Sequence, residues 1–179
     1  MFDYFMKMKG RSQSPPAVGL IETLWSWLGA FLGIALLALV NDHLLPGADG
    51  VLLIGSWGAS CVLIFGAIKS PLAQPGNLIG GHIFSAVIGV TAYQLFPGQL
   101  WFASALAVST AIAVMHLTKT LHPPGGATAL IAVIGGDKLH KLGYVYVIIP
   151  VGLGAVVLLA VALLLNNVAK DRRYPEFWL

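Results

Sequence analysis

The residues of this chain that could do chemistry are concentrated between Lys119 and Thr128, where a lysine and a histidine precede two prolines and two glycines. Proline fits the first turn of a helix, but it pushes the residue before it out of helical geometry. We therefore expect one helix to end near Leu121 or His122 and another to begin at Pro123 and Pro124. The start of a helix carries a partial positive charge, so with Lys119 and His122 beside it this position favours an anion.

A similar arrangement occurs earlier in the chain, where Lys69 precedes Pro75 and Gly76. Apolar segments interrupted by proline and glycine in two corresponding places are typical of transporter sites. A competing interpretation is that the lysines only mark the cytoplasmic side of the membrane and that proline and glycine are common in loops. The candidate substrate-binding residues in the two stretches are Lys69, Pro75, Gly76, Asn77, Lys119, His122, Pro124, Gly125, Gly126 and Thr128.

The charge pattern around these stretches favours an anion over a cation. No Asp or Glu occurs from Gly50 through Gly136, and the formal charges there are Lys69 and Lys119. Cation pathways use carboxylates or rings of carbonyl groups, whereas anion pathways use Lys, Arg or helix starts. We expect a small inorganic anion as the ligand.

Three histidines in apolar surroundings form a candidate proton relay, because the ordinary pKa of histidine lies near neutrality. They are His82, His116 and His122. For His82, a neutral buried ring bonded to a backbone carbonyl is an equally good explanation. We predict no metal site, because the expected helix break separates His116 from His122 and no carboxylate is near them in sequence. No cofactor is predicted either.

Composition identifies a membrane protein. The chain has 179 residues with a mean hydropathy of +0.85, and only 9% of them are charged, against roughly 25% in soluble domains. The net charge of +3 comes from the ends and loops. It therefore indicates topology within a lipid bilayer and not nucleic-acid binding. The single cysteine, Cys61, excludes an internal disulfide framework and a cysteine-based metal cluster.

Hydropathy predicts an all-α, polytopic bundle of about five spans plus a re-entrant half-helix. The predicted spans are residues 21–40, 51–68, 78–96, 100–117 and 144–165, and the half-helix covers 125–136. We divide the chain into a basic tail (1–19), one transmembrane domain (20–166) and a charged tail (167–179). A re-entrant half-helix puts Arg172 and Arg173 outside, and a full crossing puts them inside. The count of charges separates these alternatives poorly.

Small residues indicate close helix packing. Gly81, Ser85 and Gly89 are spaced at helical intervals and form a stripe on one face of the third predicted span. Stripes of this kind exceed what one small bundle needs, so we also expect a homo-oligomer. No motif of an enzyme is present, and we expect a non-enzymatic protein.

Residues 122–129 (HPPGGATA) resemble the signature of the HPP family of integral membrane proteins. The resemblance extends over most of the chain, including the break between Lys69 and His82. It implies four spanning helices, a probable transporter, and, from plastid and cyanobacterial relatives, nitrite as substrate. The implied four spans differ from the five that hydropathy predicts.

Together these observations predict a transporter or channel for a small monovalent anion, with its site at the starts of the broken helices. Nitrite is the first candidate for this anion. The alternatives are a non-transporting membrane scaffold or assembly protein, and a channel for a neutral solute or weak acid. We expect a multi-pass protein of the bacterial plasma (inner) membrane with a cytoplasmic N-terminus, since the N-terminal tail is basic.

Overall fold

The computed structural model describes residues 2–9, 12–44 and 50–179, so parts of the predicted tail 1–19 and of the loop after the first span lie outside it. Every regular secondary-structure element of the described chain is a helix or a helical turn, and the predicted all-α bundle is confirmed. Its helices are α1 (Phe2–Met6), α2 (Leu20–Leu44), α3 (Ser56–Gly66), α4 (Pro75–Leu95), α5 (Leu100–Leu117), α6 (Pro123–Ile134), α7 (Gly136–His140) and α8 (Leu153–Leu165). A short 3₁₀ turn (Pro71–Ala73) precedes α4, and a π-type turn (Val147–Gly152) precedes α8.

Four helical segments of the described chain are long and apolar enough to cross a membrane, which differs from the five spans predicted. They are Leu20–His43, Pro75–Leu95, Leu100–Leu117 and Val147–Leu165. The predicted span 51–68 is instead the short helix α3, whose 11 residues extend about 16 Å. A turn shortens it, because Gly50 adopts a left-handed backbone (φ 76°) and the Leu52 N–H bonds to the Asn41 side chain rather than to a helical carbonyl.

The helix after the proline motif is as short as predicted, but its direction differs from a re-entrant path. At its start, His122 packs against Gly81, near the beginning of α4. Beyond its end, the His140 ring stacks on Tyr93, near the end of α4, with ring centroids 3.6 Å apart. Thus α6 runs beside α4 in the same direction, and the chain does not return to the side from which α6 began.

An ion pair places the start of α2 and the end of α8 on one side of the bundle. Arg172, after α8, donates to the Glu22 carboxylate of α2 at 2.7 Å and to the Phe65 carbonyl at the end of α3 at 3.0 Å. The guanidinium also bonds to the Asn166 side-chain oxygen at 2.8 Å. We call this the N-terminal side of the bundle. Of the two predicted topologies, the structure therefore has the one that keeps Arg172 on the side of the N-terminus.

The bundle consists of two halves, α2–α3–α4 and α5–α6–α8, in each of which a short apolar helix lies between two long ones. Successive helices run in opposite directions, so the second half begins on the side opposite to the first and is inverted relative to it. The directions of the packed helices also correspond between the two halves. Helix α4 runs parallel to α6, and α8 runs parallel to α3, as shown by the contacts of Gly154 with Trp57 and of Asn166 with Ile64.

Close packing of α4 on α6 depends on residues without bulky side chains. A Cβ added at Gly89 would lie 2.5 Å from the Ala129 carbonyl oxygen, and one added at Gly81 would lie 2.5 Å from the His122 Cβ. Ser85, between them, is fully buried. The predicted stripe is confirmed as a contact face, and this face brings the motif against α4.

Candidate functional site

Four buried polar side chains meet where α3, α4 and α6 come together, and we call them the polar cluster. They are Ser60, His82, His122 and Thr128, each with 0% of its surface exposed. His82 is the eighth residue of α4, so the cluster lies about 10 Å along that helix from its start. This depth is inside the apolar part of the bundle, where polar groups are costly unless they are hydrogen-bonded.

The cluster is a continuous chain of hydrogen bonds. Ser60 Oγ lies 2.7 Å from His82 Nε2 and 3.0 Å from His122 Nε2, so one hydroxyl joins both rings. His82 Nδ1 lies 2.7 Å from Thr128 Oγ1, which is also 3.3 Å from the Pro124 carbonyl oxygen. The other nitrogen of His122, Nδ1, is 2.7 Å from the Leu72 carbonyl oxygen. Every polar atom of the two rings therefore has a partner.

The break before α6 positions His122. The residue caps the helix with extended backbone angles (φ −140°, ψ 103°), as expected for a residue that precedes a proline. Asn77 of α4 donates to the Leu121 carbonyl at 2.9 Å and so fixes the backbone just before the cap residue. Gly81 and Gly125 allow α4 and α6 to touch, since a Cβ at Gly125 would lie 2.6 Å from the Gly81 oxygen.

Two aromatic side chains enclose the cluster. The Trp57 ring lies 4.5 Å from the His82 ring, and its Nε1–H donates to the Leu52 carbonyl at 2.9 Å. The Tyr146 hydroxyl donates to the Thr128 carbonyl at 3.0 Å. Both bonds are to backbone, so these residues leave the imidazole nitrogens to Ser60, Thr128 and the Leu72 carbonyl.

The structure brings only part of the predicted site together. His82, His122 and Thr128 meet in the cluster, and Asn77 supports it. His116, Lys69 and Lys119 are exposed on the N-terminal side of the bundle and do not line it. Among the described residues no group of three or more His, Cys, Asp or Glu side chains is arranged to hold a metal ion.

At each of the helix starts that were expected to bind an anion, one glycine N–H group is bonded within the protein. Pro123 and Pro124 carry no N–H, and the Gly125 N–H donates to the His122 carbonyl at 2.8 Å. At the start of α4, the Gly76 N–H donates to the Trp178 carbonyl at 2.9 Å. A Cβ added at Gly126 would meet only the Val108 side chain, 3.9 Å away. The first N–H group of each start is therefore bonded within the protein.

Sequence reasoning missed Ser60, although a signal for it exists. Residues 58–60 (Gly-Ala-Ser) match residues 126–128 (Gly-Ala-Thr), and the two triplets lie in the corresponding short helices of the two inverted halves. Ser60 and Thr128 thus occupy equivalent positions, and they bond to opposite nitrogens of the same ring, His82.

The fold and the cluster define a polytopic helical membrane protein of two inverted halves with a buried imidazole–hydroxyl site. The family model described as "HPP, transmembrane region" matches residues 15–175, and the chain belongs to that family.

Two curated relatives are transmembrane proteins of Dictyostelium discoideum. One is 48% identical over 178 residues, which are 98% of this chain and 57% of the relative. The other is 44% identical over 183 residues, which are 99% of this chain and 64% of the relative. The chain thus spans about three fifths of the length of these relatives. No solved structure matches.

Proposed function

We propose that this chain is a membrane transporter for a small monovalent anion, with nitrite as the first candidate, and that it is not an enzyme. The observation that carries the proposal is the meeting of two short helices, from two inverted halves, at one buried polar cluster. Inverted repeats with short or broken helices at their interface are a recurrent architecture of secondary transporters, because the halves can rock about a site between them.

The distribution of charge supports an anion and a direction of approach. Lys69 and Lys119 are exposed on the N-terminal side, at the turns that lead into α4 and α6. We assign them to attracting the anion to the mouth of the pathway through water, and not to coordinating it in the bundle. The choice of nitrite comes from the resemblance to nitrite-transporting members of the family.

We place the N-terminal side in the cytoplasm. Lys69, Lys119, Arg172 and Arg173 all lie on this side, while Lys138 and Lys141 follow α6 on the opposite side. An excess of Lys and Arg in short loops is typical of the cytoplasmic face. The bacterial plasma membrane and a homo-oligomeric state stay predictions.

Uptake of nitrite into liposomes that contain the purified protein tests this function. We expect protein-dependent nitrite accumulation driven by an imposed gradient of nitrite or of pH, and competition by other small monovalent anions in a ranked order, including anions of strong acids. Protein-free liposomes and liposomes with heat-unfolded protein are the controls. A scaffold protein would give no flux above these controls, and that result would refute the proposal.

A weak-acid channel is the second candidate, favoured by one observation. The side chains of the polar cluster are hydroxyls and imidazoles, without a fixed charge. Such a channel would pass nitrous acid instead of the anion. Its flux would scale with the concentration of nitrous acid and would not be inhibited by anions of strong acids, which the same liposomes can measure.

A further inference from the structure

We propose that His82, Ser60 and His122 hold one exchangeable proton and pass it between the two rings through the Ser60 hydroxyl. If the chain transports an anion, as proposed above, this is the proton that accompanies it. The geometry that carries the proposal is the single hydroxyl between two imidazole nitrogens, at 2.7 Å and 3.0 Å.

The Leu72 carbonyl sets the starting arrangement. A carbonyl only accepts, so His122 Nδ1, at 2.7 Å, must carry a hydrogen, and in the neutral ring Nε2 is then an acceptor. Ser60 donates to that Nε2 and accepts from His82 Nε2–H. His82 Nδ1 is then an acceptor, and the Thr128 hydroxyl donates to it. All bonds of the cluster are satisfied with both rings neutral.

One added proton also leaves every bond satisfied. If His82 carries it, Nδ1–H donates to Thr128 Oγ1, and the Thr128 hydroxyl turns to the Pro124 carbonyl, 3.3 Å away. The bonds at Ser60 stay as they were. Thr128 thus provides an acceptor for the proton through rotation of its hydroxyl alone.

Transfer from His82 to His122 then needs one concerted step. The His82 Nε2–H bond breaks as a new Ser60 O–H bond forms, and the old Ser60 O–H bond breaks as a His122 Nε2–H bond forms. The charge moves between the rings, Ser60 ends with one hydrogen as before, and its hydroxyl now donates to His82. Both transfers follow hydrogen bonds that already exist, of 2.7 Å and 3.0 Å, so no movement of the backbone is required.

In the described chain, no other two imidazoles are joined by hydrogen bonds through a shared side chain. The other ionisable groups on the elements packed around this unit are as follows. Helix α3 adds the buried Cys61, next to Ser60, and the segment before α8 adds Tyr146, which is bonded to backbone. On α4, Tyr93 lies at the far end against His140. On α5, His116 is exposed, and so are Lys69 and Lys119 at the turns.

A proton at this unit has a direct consequence for an anion. Bringing a monovalent anion into the bundle alone buries an uncompensated charge, which is costly in a low dielectric. A positively charged imidazole beside it offsets that charge. The unit therefore predicts uptake of one proton with each anion.

Replacement of Ser60 tests the bridge, and the same helix offers a matched control. Ser56 is one turn away, equally buried, and its hydroxyl has no hydrogen-bond partner. We expect Ser60→Ala to lower proton-coupled nitrite uptake by roughly tenfold to a hundredfold, the effect of losing a hydrogen bond to a charged group. Ser56→Ala should stay within about twofold of the wild type, because no hydrogen bond is lost. Equal pH-gradient dependence in the two variants would overturn the proposal while leaving transport intact.

The imidazole ¹⁵N spectrum of the protein in detergent gives a readout that does not require transport. As the pH falls, both Nε2 signals of the wild type should move together in one step, since the pair binds one shared proton. In Ser60→Ala the titration of the two rings should separate into two steps, and in Ser56→Ala it should stay in one step. Rings that titrate independently in the wild type, or take up no proton while the protein stays folded, would overturn the proposal. A shared proton without nitrite uptake would support it and refute the transport function.

Discussion

Ser60 is the side chain on which the buried cluster depends, because its hydroxyl is bonded to both imidazoles. The side chains of the site are hydroxyls and imidazoles, none of which carries a fixed charge, while the lysines near the motif lie on the surface. This division has a physical cause: a fixed charge inside an apolar bundle is costly, whereas a hydroxyl or imidazole is stable there once it is hydrogen-bonded. The constraint on Lys119 is one of backbone conformation, because its backbone is left-handed (φ 58°).

Replacing Lys119 by glycine should stabilise the protein. A non-glycine residue in the left-handed region is strained, and glycine is not, so we expect a gain of about 0.5–1 kcal/mol after the greater freedom of glycine in the unfolded chain is subtracted. Thermal unfolding in detergent measures the change. The neighbouring Thr118, with φ −92°, is the control, and Thr118→Gly should destabilise. A loss of stability in Lys119→Gly would contradict the strain argument.

At the scale of elements, the short helices α3 and α6 determine where the cluster lies. Each contributes a hydroxyl from an equivalent position, and the start of α6 contributes His122. Neither helix alone is as long as a bilayer core of ~30 Å, so each pass also includes the turns at the ends of the helix. The contact of α6 with α4 through small residues makes this arrangement compact.

Replacing Gly89 by leucine should disrupt the contact of α4 with α6. Its Cβ would meet the Ala129 carbonyl oxygen at 2.5 Å and the Ala132 Cβ at 2.8 Å, and backbone atoms there cannot move aside cheaply. Overpacking of this kind costs about 1–3 kcal/mol, often more against backbone. The yield of monodisperse protein in detergent should fall. Val87→Leu, on the exposed face of α4, should match the wild type, and equal yields of both variants would rule the contact out as a constraint.

For the whole molecule, the two inverted halves and the ion pair between Arg172 and Glu22 define its sidedness. Three helices in each half give an even number of passes, so both ends of the described bundle lie on one side. The Arg172 guanidinium, buried among α2, α3 and the end of α8, connects the halves directly.

Cysteine labelling from either side of the membrane tests this sidedness. In a Cys61→Ala background, which removes the single cysteine, an impermeant thiol reagent should label Ser12→Cys and Lys170→Cys from the same side. Asp137→Cys, after α6, should be labelled from the other side. Labelling of position 137 together with position 12, and of position 170 from the other side, would support the re-entrant path with five passes and contradict the structure.

Loss of the buried guanidinium should destabilise the bundle. Removing one partner of a buried pair costs about 3–5 kcal/mol, and the half-buried Glu22 can regain some water, so we expect Arg172→Met to lie near 3 kcal/mol. Arg173→Met is the matched control, because Arg173 is exposed and next in sequence. Denaturant unfolding followed by helical circular dichroism measures both, and similar midpoints would refute a structural role for the pair.

The amino-acid sequence by itself determined the membrane class, the helix break before Pro123, the small-residue face of α4 and the involvement of His82 and His122. These features depend on local properties: hydropathy, the missing N–H of proline and the size of side chains. Only the tertiary structure decided that α3 is short, that α6 runs on beside α4, and that Ser60 joins two imidazoles from which it is separated by 22 and 62 residues. Contacts at such separations follow from the packing of whole helices, which hydropathy along the chain does not encode.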